Sequence, residues 1–304
     1  MSDARGAFET EETFGEEGGL IRYLIVATKT YATVPTLKPL RHHLSNEITV
    51  LVLQNSMGMS IRSMPTLRRQ IYSRPIKDGI EGTTEEVTDV LFANSSRRPH
   101  FFAGIVSHGV YKNGPFSVVH AGMGNITLGG VQPSHETETA SAGTGSAGGP
   151  SKYLLHCLSA APILSASIVL PAKMLQIQLE KLAINAIVNP LKVIFDCLNG
   201  ELFTRPPIRA LIRVLLVEIS SVFRSIIALS GSALAENPSA EARFSPEGLE
   251  KTVEDAAVKT AQNISLMLQD VRAGRMTEID YINGYIVKRG TDQVIDRRLN
   301  RTLV

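Results

Sequence analysis

Two short apolar runs near the start of the chain constrain its fold most strongly. Leu24–Thr28 and Ile48–Leu53 are mainly apolar and uninterrupted, the pattern of strands that are buried on both faces. Between them, Leu37, Leu40 and Leu44 recur at helical spacing. A strand, a helix and a strand at this spacing form a βαβ unit, in which the two strands run parallel. The sequence therefore predicts a parallel α/β sheet in the first half of the chain.

Two polar side chains follow these strands at the predicted carboxyl edge of the sheet. Lys29 comes directly after the first run, and Asn55 comes shortly after the second. Open α/β sheets bind their ligands beyond the carboxyl ends of the strands. Position alone leaves two interpretations of Lys29, which are a ligand-binding residue and an ordinary loop lysine.

Further strands are predicted before the middle of the chain, at Phe101–Val106, Phe116–Ala121 and Ile126–Gly129. Residues 130–150 are rich in Gly, Ser, Thr and Ala, which predicts a low-complexity loop. The first 19 residues are acidic and without an apolar run, so we expect a flexible leader at residues 1–19 rather than a signal or transit peptide.

Residues 59–83 interrupt this pattern, because they are rich in arginine and show little periodicity. We interpret them as an insertion that loops out of the sheet. A patch that binds nucleic acid and a segment foreign to the fold are the alternatives. The first is disfavoured because aromatic residues are not interleaved with the arginines.

The second half of the chain is predicted to be entirely helical from about Met174 onwards. A long helix begins at Pro206-Pro207 and buries a regular apolar face, and Ser245 caps another that runs towards Met267. Asp270–Arg275 is predicted as a turn, and a last helix opens at Thr277 and stops near Gly290. The fold class is therefore α/β plus all-α, with a partial Rossmann-like domain at residues 20–170 and a helical domain at residues 171–304.

Three polar residues of the first long helix, Lys181, Asn185 and Asn189, stand four residues apart. A four-residue step turns a helix by only about 40°, so the three side chains form one ridge of roughly 12 Å. Asn is a poor helix former, which favours a polar task for this ridge. The alternative is a solvated stripe on an amphipathic helix.

Bulk composition excludes several classes of protein. The 304 residues carry a formal net charge of +2 and are 43% hydrophobic, so neither nucleic-acid binding nor disorder is indicated. Cys157 and Cys197 have no metal-ligand spacing, so we predict no metal site and expect reduced thiols, although one disulfide stays open. The most apolar window, Leu154–Leu170, is short and interrupted by His156 and Pro162, so no membrane span is predicted. We expect a cytoplasmic protein, with the mitochondrion as the alternative.

Several of these stretches together resemble the ketopantoate reductase (2-dehydropantoate 2-reductase) family. The resemblance covers residues 21–58 and 84–304, and the C-terminal motif, Ser265–Gly284, is long and specific. The motifs are Lys181–Asn199 with the following Gly-Glu-Leu, Ser265–Gly284, Lys29-Thr30 with Gln54-Asn55, and Ser107-His108-Gly109 with His120–Gly124.

The resemblance implies an NADPH-dependent reductase with a Rossmann domain, a helical domain and a 2-oxo acid substrate in the cleft between them. It implies that Lys181 is the general acid that protonates the substrate carbonyl oxygen. Glu278 would hydrogen-bond a substrate oxygen near the reacting carbon, although a carboxylate in a first helical turn has a second reading as a complement to the helix dipole. Substrate-binding roles are implied for Asn185, Asn189 and Asn199, cofactor-binding roles for Lys29 and Asn55, and a possible homodimer through the helical domain.

The chain also departs from the family pattern. It lacks an opening strand followed by Gly-x-Gly-x-x-Gly, the element that holds the cofactor pyrophosphate, so the resemblance begins near the family's fourth strand. Leu266 stands where the family has a serine that contacts the substrate carboxylate. These departures leave a second hypothesis open, that of a truncated and catalytically impaired member that serves at most as a substrate domain or dimerisation module.

Overall fold

A computed structural model of the chain describes residues 21–53, 91, 99–115, 117–130, 150–263 and 265–304. The predicted leader at 1–19, the predicted insertion at 59–83 and Asn55 lie outside these residues, as does the predicted loop between its end residues, Gly130 and Pro150.

A five-stranded sheet forms the centre of the first half, and its strands lie in the order β1-β2-β3-β6-β7. A separate antiparallel hairpin pairs β4 with β5. The bounds are β1 Tyr23–Val26, β2 Thr49–Val52, β3 His100–Val106, β4 Gly109–Gly114, β5 Ser117–Gly122, β6 Ile126–Gly130 and β7 Ala166–Val169.

The sheet is parallel at three of its four pairings and antiparallel at the fourth. The pairs β1–β2, β2–β3 and β6–β7 run parallel, whereas β3 and β6 run antiparallel. The predicted βαβ unit corresponds to β1 and β2, which pair in parallel as expected. The chain passes from β3 to β6 through the β4–β5 hairpin without a crossover helix, so it arrives in the opposite direction. The predicted parallel character of the sheet is therefore confirmed at three pairings, and the β3–β6 pairing is the exception.

The helix Pro150–Ser159 packs against β1, β2 and β7 of the sheet. From Pro171 onwards, the described part of the chain consists of helices and short 3-10 turns with their connecting loops. Their bounds are α1 Thr33–Leu37, α2 Pro150–Ser159, α3 Pro171–Phe195, α4 Pro206–Leu229, α5 Pro238–Arg243, α6 Pro246–Lys259, α7 Leu266–Arg272, α8 Ile279–Asp292 and α9 Arg298–Leu303.

Three helix boundaries differ from the predicted ones. Helix α6 ends at Lys259, and a new N-cap at Ser265, whose hydroxyl accepts the Leu268 N–H at 3.2 Å, starts α7, which runs into the predicted turn. Helix α8 continues past Gly290 to Asp292, so this glycine does not end the helix as predicted. A Cβ at Gly290 would lie 2.8 Å from Arg297 Cδ, so the glycine allows close packing there. Helix α9 was not predicted.

The helical part has one hydrophobic core, built by the inner faces of α3, α4, α6 and α8. Leu182 on α3, Phe223 on α4, Leu249 on α6 and Ile286 on α8 are almost completely buried in it. Each such side chain contributes about 1.5–3 kcal/mol when it leaves water. This core holds α3 rigidly against its neighbours and so fixes the direction of the polar ridge.

Helix α3 also touches the sheet, which joins the two parts of the chain. Its first turn packs Met174 against β6 at Gly129, where any Cβ would lie 2.6 Å from Met174 Cγ. The absence of a side chain at Gly129 therefore allows this close approach. As a result, the first turn of α3, which precedes the ridge, is anchored to the sheet.

Two further expectations concern cysteines and membranes. Cys157 is exposed, Cys197 is buried, and neither forms a disulfide. Among the described helices, none combines the length and the apolar character needed to cross a bilayer.

Candidate active site

The three polar residues of the predicted ridge line one cavity of about 170 Å³. Lys181, Asn185 and Asn189 all lie on the cavity face of α3, while Leu182 and Ile187 of the same helix are buried in the core. Asn185 is 9% exposed and Lys181 is half-buried, so the ridge is not a solvated stripe. The structure thus brings together the residues that the four-residue spacing placed on one face.

The opposite wall comes from α7 and the start of α8. Helix α7 contributes Leu266, Met267 and Asp270, and α8 contributes its N-cap residue Glu278 and Ile282. The cavity is therefore polar on the α3 side and mixed on the other, with two carboxylates facing a lysine and two amides across it.

Lys181 brings a cationic group to the cavity. Within the described ranges, its ammonium makes neither a hydrogen bond nor an ion pair with a protein group. Burial disfavours the charged form of the side chain and lowers the pKa of Lys181 from its ordinary value of 10.5. A lysine with a lowered pKa that faces a cavity is a ready proton donor to a ligand there.

Glu278 makes its hydrogen bonds across to the carboxyl end of β1. One carboxylate oxygen accepts the backbone N–H of Thr30 at 3.1 Å and the Thr30 hydroxyl at 3.0 Å. The other oxygen accepts Lys29 Nζ at 3.5 Å. Although Glu278 is the N-cap of α8, its side chain does not cap that helix. The carboxylate is therefore held in place from the sheet side, with its cavity face left to a ligand.

Lys29 lies behind the two cavity carboxylates. Its ammonium donates to Asp270 at 3.0 Å in addition to Glu278. Burial alone would lower the pKa of Lys29, but attraction to Glu278 and the hydrogen bond to Asp270 outweigh burial and raise it. The predicted contact of Lys29 with a cofactor has no support in these bonds, since the described partners of its ammonium are acidic side chains of the helical part.

Asp270 completes this cluster and was missed by the sequence analysis. Its carboxylate is buried and also accepts Arg275 Nε at 2.9 Å. The segment had been predicted as a turn, so no helical face drew attention to it. Its ion pair with Lys29 joins residues 241 positions apart, and no local pattern reports such a contact.

Asn199 is not among the residues that line this cavity, and its predicted substrate-binding role stays a prediction. It begins the 3-10 turn Asn199–Glu201, and its amide donates to the Thr260 hydroxyl at 2.7 Å. Its side chain thus ties the end of α3 to the end of α6. The described residues do not include Asn55, whose predicted role stays a prediction.

The described residues at the end of β1 do not fit the diphosphate group of a dinucleotide. The N–H of Thr30, in the first turn after this strand, already donates to Glu278. Within the described ranges, no strand is followed directly by Gly-x-Gly-x-x-Gly. We therefore assign no described residue to a diphosphate. Nor does any set of three or more His, Cys, Asp or Glu side chains in these ranges gather where it could hold a metal ion.

Two sequence models of one family match most of the chain. The model described as "Ketopantoate reductase PanE/ApbA" matches residues 4–133, and the model described as "Ketopantoate reductase PanE/ApbA C terminal" matches residues 173–304.

Individual relatives agree with this match. The chain is 28% identical over 292 residues to a probable 2-dehydropantoate 2-reductase of Schizosaccharomyces pombe, covering 93% of this chain and 72% of that protein. Two solved structures share the fold. A dimeric ketopantoate reductase from Staphylococcus aureus has a TM-score of 0.59 at 16% identity, and the superposition covers 92% of this chain and 74% of the S. aureus chain. A complex of D-mandelate dehydrogenase with NADH has a TM-score of 0.60 at 19% identity, covering 93% and 76%.

The consecutive matches, the shared fold and the cavity built by Lys181, Asn185, Asn189 and Glu278 point the same way. The chain belongs to the ketopantoate reductase family.

Proposed function

We propose that this protein reduces 2-dehydropantoate (ketopantoate), or a related 2-oxo acid, to the 2-hydroxy acid with NADPH, a step of pantothenate biosynthesis. One observation carries the proposal: the ammonium of Lys181, which has no partner among the described residues, faces a cavity that also holds two amides and an anchored carboxylate. The similarity to the S. pombe protein, a probable 2-dehydropantoate 2-reductase, supports the choice of substrate.

Reduction of the ketone requires that the protein donate a proton and stabilise the negative charge that develops on the carbonyl oxygen. A nicotinamide cofactor, when bound, supplies the hydride that adds to C2 of the substrate. As the carbonyl π bond breaks, its electron pair moves to oxygen, and Lys181 delivers a proton to that oxygen. The resulting neutral amine recovers its proton from solvent. Because the ammonium sits in a partly desolvated cavity, its attraction to the developing alkoxide is stronger than in water.

The other cavity residues orient the substrate. Asn185 and Asn189 line the cavity further along the ridge, and in the proposed complex they hydrogen-bond the hydroxyl and carboxylate ends of the substrate. Glu278 accepts a hydrogen bond from the substrate near the reacting carbon. The hydrogen bonds from Lys29 and Thr30 hold the Glu278 carboxylate in this orientation. Holding the carbonyl oxygen beside a fixed proton donor makes the proton transfer effectively unimolecular, which lowers its entropic cost.

NADPH is our choice among nicotinamide cofactors. The family assignment and the NADH complex of the D-mandelate dehydrogenase support a nicotinamide cofactor in general. We propose the phosphorylated form from the family resemblance.

We also propose a homodimer that forms through the helical part. The S. aureus relative is dimeric, and Val214 and Val217 are exposed on the outer face of α4. Sedimentation velocity should give about twice the mass of the chain, and Val217→Glu should shift the profile to the monomer. A monomeric wild-type protein over the micromolar range would exclude the dimer.

The decisive experiment combines cofactor binding with turnover. We expect saturable quenching or enhancement of NADPH fluorescence on titration and ketopantoate-dependent loss of absorbance at the reduced-nicotinamide band. The alternative of an impaired member, which predicts neither signal, has less support, because the family matches extend over both parts of the chain. Binding of NADPH without any turnover of ketopantoate or other 2-oxo acids would contradict the proposed reaction.

A further inference from the structure

Helix α3 contains a gap in its hydrogen bonds in the middle of the active-site ridge. Pro190 lies inside the helix and has no N–H. The carbonyl of Ala186, four residues earlier, therefore lacks its usual helical donor, and the proline ring pushes it outward. Asn185 and Asn189 are the immediate neighbours of Ala186 and Pro190, so the gap lies directly behind the two amides of the cavity.

Asn283 of α8 closes this gap. Its side-chain amide donates to the Ala186 carbonyl oxygen at 3.0 Å, and its side chain is completely buried. A carbonyl can only accept, so the NH₂ group of Asn283 must face Ala186. A buried carbonyl without a partner costs about 1–3 kcal/mol, which makes this donor a requirement of the fold at Pro190.

A buried polar chain extends from Asn283 and fixes its orientation. The same NH₂ group donates to Asn300 Oδ1 at 3.2 Å, and the NH₂ group of Asn300 donates to Glu218 at 2.8 Å. Glu218 also accepts the backbone N–H groups of Leu299 and Asn300, both at 2.9 Å. The chain thus links α8 to α9 and α4, and through them to the helical core.

We infer that Asn283 is a positioning residue for the reaction, which acts by setting the Pro190 segment of α3 against α8. Helix α8 begins directly after Glu278, so the bond from Asn283 to Ala186 ties the two walls of the cavity at the level of Asn185 and Asn189. Its role is to hold the amides of one wall at working distance from the carboxylate of the other. A displacement of about 1 Å at a reacting group can cost about a hundredfold in rate. The expected effect on turnover rests on the proposed function, whereas the contact between Asn283 and Ala186 is independent of it.

A double-mutant cycle tests the contact and its consequence separately. Asn283→Ala, Pro190→Ala and the double variant are compared with the wild type in urea unfolding, in 2-oxo acid binding by calorimetry and in turnover. Pro190→Ala returns an N–H to the helix at position 190, which can pair with the Ala186 carbonyl. Asn283→Ala should weaken 2-oxo acid binding and lower kcat/KM by at least about tenfold in the wild-type background and by much less in the Pro190→Ala background. In urea, the two substitutions should couple by about tenfold in the unfolding constant, equal to about 1.4 kcal/mol.

Asn199→Ala is the matched control, because Asn199 is also a buried amide but hydrogen-bonds outside the cavity. The effect of Asn199→Ala on unfolding, binding and turnover should be the same in the wild-type and Pro190→Ala backgrounds. Absence of coupling between positions 283 and 190 in urea overturns the inference, whatever the activity. Coupling in urea with unaltered 2-oxo acid affinity also overturns it, since the contact would then be structural only. A wild-type protein without turnover refutes the proposed reaction, while the unfolding cycle and the binding measurement still decide the inference.

Discussion

Lys29 joins the sheet to the helical part through two ion pairs, and replacing it by Met should measurably weaken this junction. Its ammonium lies 3.0 Å from Asp270 and 3.5 Å from Glu278, whose side chains are only 8% and 14% exposed. Breaking a fully buried pair costs about 3–5 kcal/mol, and an exposed pair contributes about 0–1 kcal/mol. The Lys29 side chain is 36% exposed, and both carboxylates keep other donors, Arg275 and Thr30. We therefore expect Lys29→Met to lower the free energy of unfolding by about 2 kcal/mol.

Urea unfolding at neutral pH measures this loss, with Lys38→Met as the control. Lys38 is exposed and lies just after α1, so its substitution should change the free energy of unfolding by less than about 0.5 kcal/mol. The pKa of Lys29 is raised in the folded protein, so the wild-type advantage should be complete below the ordinary pKa of 10.5 and disappear as the pH rises through the folded value. Equal unfolding midpoints for the two variants would refute the ion-pair account.

Three other predictions concern the helical part and the proton donor. Glu218→Ala removes the carboxylate that accepts two N–H groups at the start of α9, and should cost about 2–3 kcal/mol in urea unfolding; a loss below about 0.5 kcal/mol would contradict the capping role. Ser265→Ala removes the N-cap of α7, the helix that carries Leu266 and Asp270, and should cost about 1 kcal/mol in the same assay, whereas an unchanged unfolding midpoint would show that the cap is dispensable. Burial lowers the pKa of Lys181, so kcat should fall with rising pH at values below 10.5, and an alkaline limb at or above 10.5 would show that the donor is not buried.

The sequence was informative wherever a local pattern carried the structure. The four-residue spacing of Lys181, Asn185 and Asn189 needed only helix geometry, and the structure places all three in one cavity. The apolar runs that became β1 and β2 were likewise visible as short buried strands, and they pair in parallel.

What the sequence did not reveal depends on contacts between distant residues. The partners of Lys29 come from α7 and the N-cap of α8, more than two hundred positions later, so its ion pairs left no trace in the local pattern. The hydrogen bond from Asn199 to Thr260, 61 positions later, likewise left no local pattern. Asn283 lies within the Ser265–Gly284 motif, but its task left no local signal, because that task is defined by a missing N–H at Pro190 on another helix.

The proton-donating role of Lys181 is the central claim, and turnover of Lys181→Met tests it most directly. Met keeps the length and the apolar stem of the side chain but cannot donate a proton. We expect kcat with ketopantoate and NADPH to fall by about 10²–10⁴-fold, with the unfolding midpoint and NADPH affinity close to those of the wild type. Lys173→Met, at an exposed position of the same helix, should retain wild-type turnover. Turnover of Lys181→Met within a few-fold of the wild type would contradict the account.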